Sequence, residues 1–262
     1  MSSGKGLRLS APESQLTPNI ACCTLPPVQA EYTPKGSYSD LAGLKTYTVG
    51  EASAKKAIVL VYDIFGFTPQ ILQGADLLAS QGYKVVMPDF MDGAVANGAW
   101  FSPDATPEQT EAKGKFFGSF PGSISSQHAP FGKVVEALKS AGAEKVGAVG
   151  YCWGYKVIVS SPAVKELGAT AGAHPSFPAP EDADTVSGVP LCLLPSKDED
   201  MKIMNAIFEG VEAKNKGQNV LKHFDSVPHG WMAARGDLSG GPATDSFVDG
   251  YQTLANFFKK HL

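Results

Sequence analysis

Arginine is nearly absent from this chain: among 262 residues only Arg8 and Arg235 carry a guanidinium. A planar, two-pronged clamp for a carboxylate or phosphate therefore has almost no candidates. Basic excess is missing too, since 22 Lys and Arg stand against 26 Asp and Glu for a formal charge of −4. A surface of that balance cannot neutralise a run of phosphates, which argues against a nucleic-acid partner. No stretch approaches the ~20 apolar residues that span a bilayer, and Met1 to Pro18 holds no apolar run of secretory-signal length. No membrane partner and a cytoplasmic location are the expectation. Cysteine is sparse, with Cys22, Cys23, Cys152 and Cys192 showing neither a C-x-x-C pair nor histidines at zinc-binding spacing. No metal centre or disulfide framework is expected, and Cys22–Cys23 reads as an ordinary reduced pair.

Apolar residues are plentiful, at 43% against 18% charged, so the chain has the material for one large core. Residues 1–40, punctuated by Pro18, Pro26, Pro27 and Pro34, suit an extended arm, and 41–262 a single domain. From Leu44 a pattern of strands and helices takes over. Leu44–Val49 alternates as a half-buried strand, Ala57–Tyr62 is a continuous apolar run, and Pro69–Ser80 has helical spacing with proline in its first turn. Lys84–Met87 is the next strand. Met91–Gly122, rich in small residues and proline, reads as an irregular excursion beside the sheet. Then follow a helix near Ala129–Ala141, strand Lys145–Val149, a helix after Gly154, and strands at Ala169–Ala173, Pro190–Leu194 and Asn219–Val227. Helices Met201–Lys214 and Asp245–Lys260 complete the pattern. Such alternation predicts an α/β fold with a doubly wound, mostly parallel sheet flanked by helices.

In Gly147-Ala148-Val149-Gly150-Tyr151-Cys152-Trp153-Gly154 an apolar strand runs through G-x-C-x-G directly into a helix. This is the setting of a nucleophile elbow: the sharp turn lifts one side chain above the sheet, and residues lacking a β-carbon fit beside it. A sulfur at a helix N-terminus also meets free amides and partial positive charge, which favours its nucleophilic form. In α/β-hydrolases the acid and then the histidine follow the nucleophile. Here Pro195-Ser196-Lys197-Asp198-Glu199-Asp200 follows a strand, and Val227-Pro228-His229-Gly230 follows the last one. His229 is the expected base. Asp198 is the expected acid with Asp200 as runner-up, because Glu199 and Asp200 resemble the acidic first turn of the next helix.

These residues resemble the dienelactone hydrolase family, the carboxymethylenebutenolidases. The resemblance runs from Leu44 to the C-terminus through Tyr62-Asp63-Ile64-Phe65-Gly66, Gln81-Gly82-Tyr83 with Pro88-Asp89, Gly150–Gly154, Pro190–Asp198 and His229-Gly230. Cys22-Cys23-Thr24 and Tyr32–Gly36 are similar to the leader of fungal relatives.

The resemblance implies an α/β-hydrolase fold and a Cys152-His229-Asp198 triad that cleaves an ester or lactone through an acyl-enzyme, without a cofactor. It implies an oxyanion hole from the backbone amides of Ile64 and Trp153. Asp63 stands where the family places an acid, usually glutamate, against the nucleophile, one methylene shorter here. Arg235, six residues after His229, is the one arginine placed to bind an anionic group of the substrate, with Lys113 or Lys115 as less directional substitutes. Phe65, Phe67, Trp100, Phe101, Phe177 and Trp231 are candidates to line an apolar pocket. The expected partner is a small ester or lactone, met by a monomer or homodimer. The same triad suits a thioesterase or peptidase-like enzyme, and the same fold a non-catalytic binding protein.

Overall fold

The structure, a computed structural model, describes residues 30–262. Most of the expected N-terminal arm, with Cys22 and Cys23, lies outside the described residues. The strands are β1 (Ser37–Leu41), β2 (Leu44–Val49), β3 (Lys56–Val61), β4 (Lys84–Pro88), β5 (Lys145–Tyr151), β6 (Ala169–Ala173), β7 (Leu191–Leu194) and β8 (Val220–Leu221). The α-helices are α1 (Pro69–Ala79), α2 (Pro107–Gly118), α3 (His128–Ser140), α4 (Trp153–Ser160), the single turn α5 (Asp182–Thr185), α6 (Met201–Glu212) and α7 (Pro242–His261). The eight strands form one sheet in the order β1-β2-β4-β3-β5-β6-β7-β8. The β1–β2 and β2–β4 pairs are antiparallel, and every later pair is parallel.

The central strands are apolar on both faces because helices cover both. Ala57 to Val61 and Val146 to Tyr151 are buried without interruption. The chain leaves β3 towards β4 on one side, whereas β5 and its successors build the other. The order therefore reverses between β3 and β5, and the crevice beyond their carboxyl ends is where open α/β sheets hold ligands.

Three elements depart from the sequence-based expectation. Ser37–Leu41 is an edge strand and not part of an extended arm, because an antiparallel turn at Ala42 and Gly43, both at positive φ, folds it onto β2. The stretch Met91–Gly122 contains α2, started by Thr106 and Gln109 in a reciprocal capping box with Pro107 in the first turn. No α2 residue is buried, so the helix carries no apolar stripe for sequence periodicity to reveal. The last strand shrinks to Val220–Leu221, since Phe224 to Val227 turns away after one isolated bridge to Ser196. Among the described residues no helix is long and apolar enough to cross a membrane.

Candidate active site

Cys152 sits between β5 and α4 at φ 54° and ψ −115°, a strained conformation for a residue with a β-carbon. Its carbonyl accepts from the amides of Tyr155 and Ser176, and its own N–H donates to Ala173, so the turn is pinned from three directions. The flanking glycines are sterically required. A β-carbon on Gly150 would lie 2.3 Å from the Tyr155 nitrogen, and one on Gly154 would lie 2.2 Å from the Val61 carbonyl oxygen. The result is a cysteine only 8% exposed that lines a cavity of about 810 Å³.

His229 enters the same cavity from the loop after β8. Its ring shares the cavity with the Cys152 sulfur, which acts on it electrostatically, and its Nδ1 lies 2.6 Å from Glu199 Oε1. The Glu199 side chain is 4% exposed, and its second oxygen accepts from the Ser196 amide. Burial disfavours charge on the ring, but hydrogen bonds and charge from Cys152 and Glu199 outweigh it and push the His229 pKa up to about 10.

The expected assignment of the acid is corrected here by one residue. The carboxylate on the ring is Glu199. Asp198 instead accepts the backbone N–H of His229 at 2.8 Å, and Asp200 caps α6 by accepting from Lys202. Because Asp200 is the cap, Glu199 lies outside the helix in the turn, where its longer side chain can fold inward. The neighbouring Asp198 is exposed, and its shorter arm stops at the main chain.

Asp63 also departs from expectation. It is 2% exposed, and its carboxylate accepts from the amides of Phe65 at 2.9 Å and Ala234 at 3.2 Å, not from the sulfur. Burial raises its pKa, against the pull of those two amides and of positive charge at His229 and Arg235. The group hydrogen-bonded to the Cys152 sulfur is the hydroxyl of Ser176, 3.1 Å from Sγ. Sequence alone gave Ser176 no distinguishing pattern. The Asx turn at Asp63 has a second effect: Phe65 and Gly66 donate to Asp63, whereas the amide of Ile64 has no protein acceptor among the described residues. The same holds for the first-turn amide of Trp153. Both residues line the cavity beside Cys152.

Arg235 lines this cavity as well, brought back by a tight turn in which its amide donates to Gly230, and among the described residues no carboxylate pairs with it. Phe65, Phe101 and Phe177 reach the cavity, joined by Phe117 and Lys113 of α2. Trp231 does not, contrary to expectation. Gly230 at φ 91° turns the chain inward, and the indole packs 4.3 Å from Phe224 and against Gly250, 2% exposed. Phe67 packs on Tyr62 and Trp100 on Phe116. A further buried histidine, His174, lies edge-on to His229 with centroids 4.9 Å apart. Burial and the neighbouring His229 charge keep its pKa well below the ordinary imidazole value.

A family model described as "Dienelactone hydrolase family" matches residues 44–262. An uncharacterized AIM2 family protein of Schizosaccharomyces pombe is 38% identical over 234 residues, covering 87% of this chain and 92% of the relative. A carboxymethylenebutenolidase homolog of Mus musculus is 30% identical over 136 residues, covering 49% of this chain and 50% of the relative. Among solved structures, a putative dienelactone hydrolase from Klebsiella pneumoniae superposes with a TM-score of 0.58 at 16% identity, over 82% of this chain and 92% of that one. The chain is a hydrolase of the dienelactone hydrolase family, on the α/β-hydrolase fold.

Proposed function

We propose that the protein hydrolyses a carboxylic ester or lactone through a thioester on Cys152, with His229 as proton carrier and Glu199 as the carboxylate that orients it. The observation that carries this reading is that the sulfur at the strained turn after β5 shares one cavity with an imidazole held by a buried carboxylate. Two amides without an acceptor among the described residues, those of Ile64 and Trp153, stand beside the sulfur as donors for an oxyanion.

The steps follow from the charges. Sγ attacks the carbonyl carbon, and the carbonyl electron pair moves onto oxygen, where the two amides receive it. Collapse expels the alkoxide, which takes the proton from His229, and a thioester remains. Sulfur is then uncharged, so part of what held the imidazole protonated is gone, and the ring can accept a proton from water as the water attacks. The second collapse frees the acid and returns the sulfur to its partners. In the resting site, the Ser176 hydroxyl at 3.1 Å makes the contact with sulfur that the resemblance had assigned to the Asp63 carboxylate. Asp63 organises the Ile64 turn instead.

The test is mass spectrometry of a reaction with p-nitrophenyl acetate stopped during turnover. Cys152 should carry the acetyl group. Turnover with acetyl only on another residue, or with no covalent species under conditions that trap thioesters, would refute the reading.

Arg235, unpaired among the described residues, suits an anionic group on the substrate. Arg235→Lys keeps the charge but loses the planar fork, so the preference for a carboxylate-bearing lactone over a neutral one should fall about tenfold in kcat/KM, mostly through KM. Equal preference in both proteins would leave Arg235 without that role.

A further inference from the structure

The mouth of the cavity exposes aromatic surface that the fold does not use. Phe177 is 56% exposed and Phe101 43% exposed, and the ring of Phe117 joins them with both centroid separations at 6.4 Å. Phe177 also holds φ at 55°, a region that bulky side chains avoid. Backbone strain and an exposed ring both disfavour the folded state, and the position gains no buried packing in return. Strain of this kind concentrates at ligand clamps. The helix that presents Phe117, α2, has no buried residue and is secured locally by its capping box.

Size and charge narrow the occupant. At about 810 Å³ the cavity lies towards the top of the roughly 300–1,000 Å³ found for drug-sized ligands. A bare lactone ring at Cys152 would leave most of it to water. Cations flank the space, with Arg235 near His229 and Lys113 Nζ 5.4 Å over the Phe101 ring.

The geometry points to an aromatic subsite: Phe101, Phe117 and Phe177 receive an aromatic ring fused to, or carried by, the ester or lactone that reaches Cys152. This assignment rests on the hydrolase reading above and names its substrate class. An aromatic ring meets three phenyl groups in edge and offset contacts that an aliphatic chain cannot make, so the preference is for flat, unsaturated bodies.

The experiment compares dihydrocoumarin with δ-valerolactone, two lactones of equal ring size that differ by a fused benzene ring. Intrinsic reactivity differs between them but cancels when the ratio of their kcat/KM values is compared across proteins. Phe177→Ala and Phe117→Ala should each lower the dihydrocoumarin to valerolactone ratio roughly fivefold, and the double variant further, while Phe177→Tyr retains it. Calorimetry gives a readout independent of turnover: the ring-opened aromatic product, hydroxyphenylpropanoate, should bind the wild type at least about fivefold more tightly than hydroxyvalerate, and lose that margin in the double variant. Unchanged ratios together with equal binding of the two acids would overturn the subsite. Selective binding of the aromatic acid without hydrolysis of either lactone would uphold the subsite and overturn the hydrolase reading instead.

Discussion

Replacing Cys152 with alanine should reduce ester hydrolysis at least about a thousandfold in kcat/KM while the protein keeps its fold. Alanine removes the sulfur but fits any space that cysteine fills, and the φ of 54° costs it no more than it costs cysteine. The backbone contacts that pin the turn, from Cys152 to Ala173, Tyr155 and Ser176, use main-chain atoms and survive the change. Thermal unfolding of Cys152→Ala should therefore stay close to wild type. Serine is the sharper probe, because it restores a nucleophile of similar shape. Its hydroxyl is far harder to ionise than a thiol, so the proton must leave during the attack itself and no anionic nucleophile is held ready. Cys152→Ser should fall at least about a hundredfold below wild type. Full activity in the alanine protein would remove Cys152 from the chemistry, and equal activity in the serine protein would remove the ion-pair chemistry.

The central strands were legible from sequence because burial on both faces gives unbroken apolar runs, as in Ala57–Val61 and Val146–Val149. The elbow was legible because its steric demand falls on glycine at fixed positions, 150 and 154, each with backbone within 2.3 Å of a hypothetical β-carbon. His229 followed from chain order and a turn-forming context. The helix α2 escaped because it buries nothing, and with it went Phe117, which only a folded chain brings over the cavity.

Side-chain reach explains the misplaced residues. Asp63 has the right position but is occupied by the amides of Phe65 and Ala234, the latter 171 residues away, a contact no local pattern announces. Trp231 adjoins His229 in sequence, yet the turn at Gly230 sends neighbouring side chains to opposite sides: the imidazole to the cavity, the indole to the core. The helix start at Met201 was expected; sorting the three consecutive carboxylates also needed its cap. Reading Asp200 as that cap, and not as part of an acidic first turn, leaves Glu199 in the turn with the longer reach.

That sorting gives the last prediction. Glu199→Gln should lower kcat by roughly a hundredfold or more, whereas Asp198→Asn should lower it by about fivefold or less, since its partner is the backbone amide of His229 and not the ring. Glutamine keeps the shape of the contact but withdraws the negative charge that faces the imidazolium. The His229 pKa, now pushed up to about 10, should fall, and the alkaline limb of the kcat/KM profile should move to lower pH with it. Stability moves by the same linkage. A histidine whose folded pKa lies above its ordinary 6.5 contributes stability that is fully present below that pH and is lost as pH rises through about 10. Wild-type Tm should therefore decline over that window, and Glu199→Gln should decline less, because less of the contribution remains to be lost. Asp198→Asn should follow the wild-type curves in both rate and Tm. The opposite ranking, with Asp198→Asn crippled and shifted in its alkaline limb and Glu199→Gln near normal, would return the orienting carboxylate to Asp198.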